Sequence, residues 1–289
     1  MRDLTLIRYV INIEQFIVIS MEISVLMSIY KKENPVYLRD SLESIFNQTF
    51  SPSEIVIVED GILTEELYSV IDGYVNKYSI VKIVKLNENY GLGYALSIGL
   101  NYCTNDIVAR MDSDDICKSN RFEVQVKFME THPEVDVLGS WIDEFYETKE
   151  NVVSVRRVPE NSKELYEFSK KRNPMNHPTV MFRKSSVLKA GGYQTCMLLE
   201  DYYLWVKMLK MGMVFYNIQE SLLYFRLSHD IYIRRGGLKY AITEVKFQIE
   251  LHKIGYLTIF ETIRNIASRF FVRVMPVCIR RRIYRRLLR

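Results

Sequence analysis

Three aspartates, Asp112, Asp114 and Asp115, lie within four positions, shortly after the apolar run Ile-Val-Ala at residues 107–109. Polar residues bound that run, which is the pattern of a buried strand. Crowded carboxylates repel one another unless a cation or hydrogen-bond donors offset the repulsion. A hard divalent ion, bound by one or two carboxylates and shared with substrate phosphates, fits this chemistry. The alternative is an acidic turn that caps the next helix, and the stretch by itself favours neither.

A second acidic pair, Glu59 and Asp60, follows another apolar run at residues 55–58. Strand and helix patterns alternate strictly between residues 22 and 111, which predicts a parallel sheet with helices on both faces. Ligands bind such sheets at the carboxyl ends of the strands, so both acidic groups are expected at one edge. One group could bind the base or ribose of a nucleotide, and the other could bind its metal-bound phosphates.

The elements that must position these groups follow from apolar periodicity. The predicted strands of the first half are 22–29, 54–58, 80–86 and 106–111, and its predicted helices are 35–46, 64–77 and 91–102. After residue 119 the alternation ends, which predicts a mixed sheet with longer loops, where an acceptor-binding half would lie. Its predicted strands are 135–145, 152–158, 179–182, 214–218 and 222–227, and its predicted helices are 120–130, 162–170, 202–209, 238–252 and 256–274.

A glycine-rich segment, Asn89-Tyr90-Gly91-Leu92-Gly93, opens the third predicted helix and resembles a phosphate loop. It is not the G-x-G-x-x-G motif, because the last glycine of that motif is replaced by Leu96. It also follows the third strand and lacks the Lys-Ser/Thr of a Walker motif. We expect glycines that allow close helix packing, which disfavours a dinucleotide-binding enzyme.

Two further candidates lie in the second half of the chain. Asp201 stands near the start of a predicted helix, where its residue type favours capping. The alternative is a general base, which needs hydrogen-bond contact that a sequence does not show. His229 lies close to Arg234 and Arg235 and could contact a metal or a diphosphate, although a lone histidine is more often structural.

Bulk composition restricts the class of protein. The chain has 289 residues and is 48% hydrophobic, enough to bury a sizeable core in one large domain or two small ones. The charged fraction of 26% is ordinary for a globular protein. The four cysteines form no C-x-x-C pair, which disfavours zinc sites and a disulfide framework and favours reduced thiols in the cytoplasm.

The two ends of the chain differ from its body. Arg8 and Glu14 interrupt residues 1–20, which lack the roughly 18 apolar residues of a membrane span. Met21 directly precedes the first strand, so we expect residues 1–20 to be a leader or an extra N-terminal segment, and no signal peptide. At the other end, residues 264–289 contain nine arginines and no lysine.

A last predicted helix, 279–288, has apolar residues that could share one face, largely surrounded by arginines. A basic amphipathic helix favours an anionic membrane surface. A solvated basic helix is an equally weighted alternative. Nucleic acid is disfavoured, because neither an aromatic stacking platform nor a recognition motif accompanies the charge.

Seven motifs in a fixed order extend over about residues 22–230. They are SVLMSIY (24–30), IVEDG (57–61), NYGLGYAL (89–96), RMDSDD (110–115), RFEVQ (121–125), HPTV (177–180) and EDYYLW (200–205). Any one of them is weak, but the ordered series is specific. The chain resembles a bacterial family 2 glycosyltransferase with the GT-A fold, of the type that builds capsule, exopolysaccharide or O-antigen repeats.

The resemblance implies an α/β architecture: a Rossmann-like, mainly parallel sheet flanked by helices, a mixed acceptor-side half and C-terminal helices. The implied GT-A domain spans residues 21–235, with a nucleotide-binding half at 21–118 and an acceptor half at 119–235. A C-terminal basic helical region, 236–289, follows. No Q-x-x-R-W motif or set of transmembrane helices is present in the sequence, which disfavours a processive, membrane-embedded synthase.

The resemblance also implies residue roles. The nucleotide site would comprise Ile29, Tyr30, Glu33, Glu59, Asp60, Asn89, Gly91, Arg110, Asp112 and Ser113. Asp114 and His229 would bind Mn²⁺ or Mg²⁺, and Asp201 would be the catalytic base, not a cap. Two departures from the family pattern matter. Glu59 replaces the usual aspartate, which leaves open whether Glu59 or Asp60 contacts the base of the nucleotide. Ser97 stands where asparagine is frequent.

The implied activity is inverting transfer of a sugar from a nucleotide-sugar donor, with a UDP-sugar expected. The acceptor would be a hydroxyl of a saccharide or a polyprenyl-diphosphate-linked saccharide, in surface polysaccharide biosynthesis. The protein would be cytoplasmic and peripheral at the inner face of the plasma membrane. The alternatives are a sugar-nucleotide nucleotidyltransferase, disfavoured because no basic glycine-rich loop follows the first strand, and a non-catalytic nucleotide-sugar-binding protein.

Overall fold

A computed structural model describes residues 21–194, 199–228 and 236–275. The predicted leader (1–20), His229 and the predicted helix 279–288 lie outside the described residues. Strands are β1 (Ile23–Ile29), β2 (Glu54–Glu59), β3 (Val81–Lys85), β4 (Ile107–Met111), β5 (Ile116–Cys117), β6 (Val135–Phe145), β7 (Val152–Arg156), β8 (Met181–Arg183) and β9 (Val214–Arg226). They form one sheet in the order β3-β2-β1-β4-β8-β6-β9-β5, with β7 paired to β6.

Helices cover both faces of this sheet. They are α1 (Pro35–Phe46), α2 (Glu65–Lys77), α3 (Leu92–Tyr102), α4 (Arg121–Thr131), α5 (Ser162–Ser169), α6 (Lys184–Lys189), α7 (Glu200–Lys210), α8 (Leu238–Lys253) and α9 (Ile259–Val274). The buried apolar residues form two large clusters, one containing Leu38 of α1 and Leu67 of α2, the other containing Leu96 of α3 and Trp205 of α7. No helix in the described part of the chain is long and apolar enough to cross a membrane.

The first four strands form the predicted parallel half, with β1 paired to both β2 and β4. Their near-continuous apolar sequences follow from burial on both faces, which removes the need for alternation. Ile29 pairs with Glu59, and Met27 pairs with Met111. The acidic residues after β2 and β4 therefore lie at the same edge, on either side of the end of β1.

The second half is mixed, as predicted, since β8 is antiparallel to β4 and β6 while β9 is parallel to β6. The two strands expected at 214–218 and 222–227 are wrong, because β9 is one strand. Its register shifts so that Ser140 pairs with Ile218 while Trp141 pairs with Ser221. The polar residues between Ile218 and Ser221 form this irregularity, and in the sequence they suggest a loop.

The last two described helices, α8 and α9, pack against each other. The N–H of Gly237 donates to the carbonyl of Arg273, so the start of α8 lies beside the end of α9. Phe247 of α8 packs at 4.9 Å, centroid to centroid, on Tyr202 of α7. The helix pair is therefore anchored to the same face of the sheet as α7.

Candidate active site

The three aspartates converge where β4 ends. Each of Asp112, Asp114 and Asp115 offers a carboxylate oxygen, and the three oxygens lie within 4.8 Å of one another. Burial and the charges of neighbouring aspartates raise the pKa of Asp114 and of Asp115. The Oδ2 of Asp115 is buried without a hydrogen-bond partner among the described residues. A buried, unpartnered carboxylate oxygen within such a cluster fits a divalent cation.

The alternative of an acidic helix cap is wrong. The two-residue strand β5 follows the aspartates directly, and the next helix, α4, begins only at Arg121. Its N-cap is Asn120, whose side chain makes no capping hydrogen bond. The aspartates therefore do not offset the helix dipole of α4.

Arg110 on β4 lies beneath this cluster and is almost fully buried. One of its terminal nitrogens binds Asp112 in an ion pair. Its Nε and its other terminal nitrogen, Nη1, have no partner among the described residues. Unpaired buried N–H donors are costly, so this guanidinium fits an anionic ligand that supplies acceptor oxygens.

Arg226, the last residue of β9, connects the loop that carries the three aspartates, residues 112–115, to α1. Its backbone N–H donates to Asp115 at 2.8 Å, and its Nε donates to the carbonyl of Asp114 at 2.9 Å. A terminal nitrogen pairs with Asp40 of α1 at 2.9 Å, and the guanidinium stacks on Tyr37 at 3.9 Å from the ring centroid. Sequence reasoning missed Arg226, because Asp40, Asp114 and Asp115 lie more than 100 positions away from it in the chain.

The carboxylate of Asp60 accepts hydrogen bonds from the glycine-rich segment. The donors are the side chain of Asn89 at 3.1 Å, the N–H of Tyr90 at 2.8 Å and the N–H of Gly91 at 2.9 Å. Glu59 is buried, which raises its pKa, and its carboxylate lies 3.6 Å from Nζ of Lys85. Asp60 thus holds the segment that begins α3, whereas the burial of Glu59 favours the neutral form of its carboxyl group.

Of the two glycines in that segment, Gly93 allows the close packing that was expected, whereas a Cβ on Gly91 would meet nothing within 4 Å. A Cβ on Gly93 would lie 2.9 Å from the carbonyl oxygen of Gln194 and 3.0 Å from the Cβ of Glu200. The start of α3 can therefore approach the start of α7 only with glycine at this position. Gly91 has a φ of +90°, which a residue with a side chain rarely adopts.

The remaining predicted nucleotide-site residues lie at the ends of β1 and β4. The side chain of Ile29 is fully buried in the core, so only its backbone faces the edge, where its carbonyl accepts from the N–H of Asp60. Tyr30 and Glu33 are half-buried in the loop after β1, and the N–H of Glu33 donates to the carbonyl of Tyr30. Ser113 is buried within the aspartate cluster.

Asp201 is the second residue of α7, and the N-cap of that helix is Leu199. One oxygen of Asp201 accepts from the N–H of Tyr202 at 2.7 Å, and the other accepts from the side chain of Asn173 at 2.6 Å. Burial raises its pKa despite these hydrogen bonds. The preference for Asp201 as the N-cap is thus corrected, although one oxygen still satisfies a first-turn N–H.

Glu200, the neighbour of Asp201, was not predicted as a site residue. Burial and the charge of Asp201 raise the pKa of Glu200 to about 7. A carboxylate with a pKa near neutrality suits proton transfer. The adjacent acidic residues were visible in the sequence, but the burial that distinguishes them was not.

The charge of Arg110 also acts on the pKa values of His177 and Tyr193. His177 contacts the hydroxyl of Tyr193 at 3.0 Å, and burial together with the charge of Arg110 holds its pKa well below the usual range. The same guanidinium acts on Glu200 and Asp201, where it opposes the effect of burial on their pKa values. The positive charge of Arg110 therefore acts on both the aspartate cluster and the acidic start of α7.

The chain was compared with known proteins. A model of glycosyl transferase family 2 matches residues 24–192. A protein of Escherichia coli named UDP-Gal:alpha-D-GlcNAc-diphosphoundecaprenol beta-1,3-galactosyltransferase is 42% identical over 92% of this chain and 96% of its own length. The amylovoran biosynthesis glycosyltransferase AmsE of Erwinia amylovora is 39% identical over 87% of this chain and 96% of its own length.

Solved structures show the same fold at lower identity. TarS of S. aureus (residues 1–349) in complex with UDP-GlcNAc superposes with a TM-score of 0.62, at 19% identity over 88% of this chain and 72% of that one. A mannosyltransferase of Pyrobaculum calidifontis in complex with GDP-Man and Mn²⁺ gives a TM-score of 0.61, at 15% identity over 86% of this chain and 73% of that one. These likenesses establish the GT-A fold.

Proposed function

The chain belongs to glycosyl transferase family 2, and on that premise we propose that it transfers a sugar from a UDP-sugar to a hydroxyl of a polyprenyl-diphosphate-linked saccharide. The observation that carries the proposal is the convergence of the aspartate cluster, Arg110 and the acidic start of α7 at one sheet edge. The printed name of the 42% identical relative supports both the UDP-sugar and the diphosphate-linked acceptor.

Asp112, Asp114 and Asp115 would hold a divalent cation, Mn²⁺ or Mg²⁺. When bound, such a cation neutralises charge on the diphosphate that leaves the anomeric carbon. Arg110 adds a second positive group, since its two unpartnered nitrogens can donate to an oxygen of the diphosphate or the sugar. His229, from the resemblance, stays a proposed contact of the metal or diphosphate.

The nucleotide would lie along the ends of β1 and β2, where Tyr30, Glu33, Glu59 and the segment held by Asp60 surround the edge. Asp112, Ser113 and the loop of Asn89 and Gly91 would complete its site. Because Asp60 already accepts three hydrogen bonds from residues 89–91, we propose that it shapes this site. Glu59, whose carboxylate has the exposed Lys85 as its ion-pair partner, is then the better candidate to contact the nucleotide base.

Asp201 would remove the proton from the acceptor hydroxyl, which attacks the anomeric carbon from the face opposite the diphosphate, so configuration inverts. Both oxygens of Asp201 accept hydrogen bonds, and Asn173 holds the carboxylate in one orientation. Glu200 is a second candidate for the base, favoured by its pKa of about 7. A lone pair of either carboxylate must reach the hydroxyl proton directly or through one water.

We propose that the protein acts at the cytoplasmic face of the membrane that holds its lipid-linked acceptor, with the arginines of 276–289 attracted to anionic lipid. The test is transfer from UDP-Gal and from UDP-GlcNAc to a short-chain GlcNAc-diphosphate-lipid analogue, with Mn²⁺ or with EDTA. We expect a disaccharide product and UDP, dependent on the cation. Release of pyrophosphate instead of UDP, or no transfer from any UDP-sugar, would contradict the proposal.

A further inference from the structure

The last described helix, α9, turns polar side chains toward the protein. Thr262 and Asn265 are buried. The side-chain nitrogen of Asn265 donates to the carbonyl of Lys170 at 2.7 Å and to the side chain of Gln248 on α8 at 2.9 Å. A surface helix of a globular protein normally turns its apolar stripe inward, so α9 is oriented in the opposite way.

Apolar side chains occupy the outer face of the same helix. Phe260 is 82% exposed, Ile263 is 59% exposed and Phe271 is 63% exposed, and Val274 is also exposed. Their positions follow the three- and four-residue spacing of one helix face. The neighbouring helix α8 adds three exposed apolar residues: Leu238, Ile242 and Ile249.

Ion pairs fix this orientation. Glu244 of α8 is buried and lies 3.0 Å from Arg269 and 2.8 Å from Arg273 of α9. These pairs outweigh the effect of burial, so the pKa of Glu244 is lowered. Rotating α9 to bury its phenylalanines would leave Glu244 charged, buried and unpaired, which is strongly unfavourable.

We propose that the outer face of α8 and α9 inserts into the interfacial region of an anionic lipid bilayer. Charge identifies this occupant, since residues 276–289, which continue directly from α9, contain six arginines and no acidic residue. Lys239, Lys246 and Lys253 are exposed on α8, and Arg264 is exposed on α9. An apolar helix face bordered by cations is the pattern of an interfacial membrane helix, and the same cations would repel a second copy of the chain.

The inference deepens the proposed function, because it identifies the surface that would bring the active site to a lipid-linked acceptor. It assigns the insertion to α9 itself, whereas the arginine-rich end supplies only the electrostatic attraction. Binding should therefore need both anionic lipid and the exposed phenylalanines. Loss of either should release the protein into solution.

The first test is co-sedimentation of the full chain with vesicles of phosphatidylcholine alone or mixed with phosphatidylglycerol. We expect binding only to the anionic vesicles, and a Phe260→Gln/Phe271→Gln variant to bind about tenfold more weakly or less, since it loses apolar area at the interface. Leu188→Gln removes an exposed apolar side chain from α6 and is the matched control, expected to bind as the unsubstituted chain does.

A second test reports insertion directly. In Phe260→Trp, the added indole fluorescence should shift to shorter wavelength and be quenched by brominated lipid. Unchanged vesicle binding by the double glutamine variant, an indole that stays solvated, or a dimer that this variant dissociates would overturn the inference.

Activity on a soluble acceptor analogue separates the two proposals. The double glutamine variant should keep its rate on that acceptor while losing at least about tenfold on acceptor in vesicles. Absence of transfer to either acceptor by the unsubstituted chain would contradict the proposed function and leave the vesicle-binding result standing. If the variant kept the rates of the unsubstituted chain on both acceptors, this result would count against the role of α9.

Discussion

Asp201 and Glu200 are adjacent carboxylates that differ in their partners. Asp201 is held by Asn173 and by a backbone N–H, whereas the strongest influences on Glu200 are burial and the charge of Asp201. We predict that Asp201→Asn lowers kcat by about 100-fold or more while the Kd for the donor stays within a factor of about three, because the acceptor proton has no base. Single-turnover kinetics and donor titration measure the two quantities.

Glu200→Gln is the matched comparison, and the pH profile decides between the two residues. A general base must be deprotonated, so a reaction dependent on Glu200 gains rate as pH rises through its pKa of about 7. If Asp201 is the base, Glu200→Gln retains most activity and the profile keeps its acidic limb. A larger loss of kcat in Glu200→Gln than in Asp201→Asn would transfer the role to Glu200.

Asp114 lies in the aspartate cluster, where burial and the charge of Asp112 raise its pKa. We predict that Asp114→Ala weakens Mn²⁺-dependent donor binding by about tenfold or more, as expected for loss of a carboxylate ligand. Calorimetric titration of UDP with and without Mn²⁺ measures the effect. Asp72→Ala, at an exposed position on α2, is the control and should leave that dependence intact; equal behaviour of the two variants would exclude Asp114 as a ligand.

At the scale of elements, β9 supports the aspartate loop through Arg226 at its end. Arg226→Lys keeps the charge but loses the planar group that contacts Asp40, Asp114 and the Tyr37 ring together. We predict a loss of about 1–3 kcal/mol in the free energy of unfolding and weaker Mn²⁺ binding. Urea denaturation and metal titration measure these changes.

Arg39→Lys makes the same chemical change at an exposed position of α1 and should alter neither quantity. A fully stable Arg226→Lys variant with unchanged metal affinity would show that β9 does not position the aspartate loop. Loss of metal affinity without loss of stability would instead assign Arg226 to the site alone.

Helix α3 packs closely on the parallel half of the sheet. A Cβ on Gly99 would lie 2.5 Å from Cγ2 of Val58 and 2.6 Å from Cδ1 of Leu26, so α3 would have to move outward. We predict that Gly99→Ala costs about 1–3 kcal/mol of stability through overpacking. Gly73→Ala, in α2 with nothing within 4 Å of its Cβ, should stabilise by about 0.5–1 kcal/mol through helix propensity.

Thermal or urea unfolding of these two variants tests the packing directly. The expected changes in the free energy of unfolding have opposite signs, although both variants replace glycine with alanine. A neutral Gly99→Ala variant would mean that α3 shifts at little cost, and the proposed donor site at its first turn should then shift as well.

At the scale of the whole molecule, the proposed donor site joins segments from across the sequence, so ligand binding should stabilise the entire fold. We predict that UDP with Mn²⁺ raises the Tm by several degrees, since a ligand at 100 times its Kd contributes about 2.7 kcal/mol. Thermal unfolding followed by fluorimetry measures the shift in Tm for a panel of nucleotides, each with and without Mn²⁺. The same shift in Asp114→Ala, or no shift with any nucleotide, would contradict a metal-dependent nucleotide site.

Much of the architecture was predictable from the sequence, because strand and helix patterns are local. The parallel half and the mixed second half are confirmed, as are the family and the GT-A fold. The prediction of two strands in place of β9 was wrong, because the polar residues inside this paired strand are also typical of a loop. The short helix α6 was not predicted, since its six residues are too few for a periodic pattern.

The sequence by itself identified Asp112, Asp114 and Asp201 as candidates for chemistry, because they belong to contiguous motifs, but it did not identify Glu200 or Arg226. Only the tertiary structure decided which partners hold these acidic residues. Arg226 binds the aspartate loop, and Asn173 binds Asp201. The glycine-rich segment binds Asp60. The tertiary structure also decided which face of α9 is outward, since periodicity gives a helix two faces without saying which one meets the protein. Both distinctions depend on contacts between residues distant in sequence, and burial and pairing arise only from those contacts.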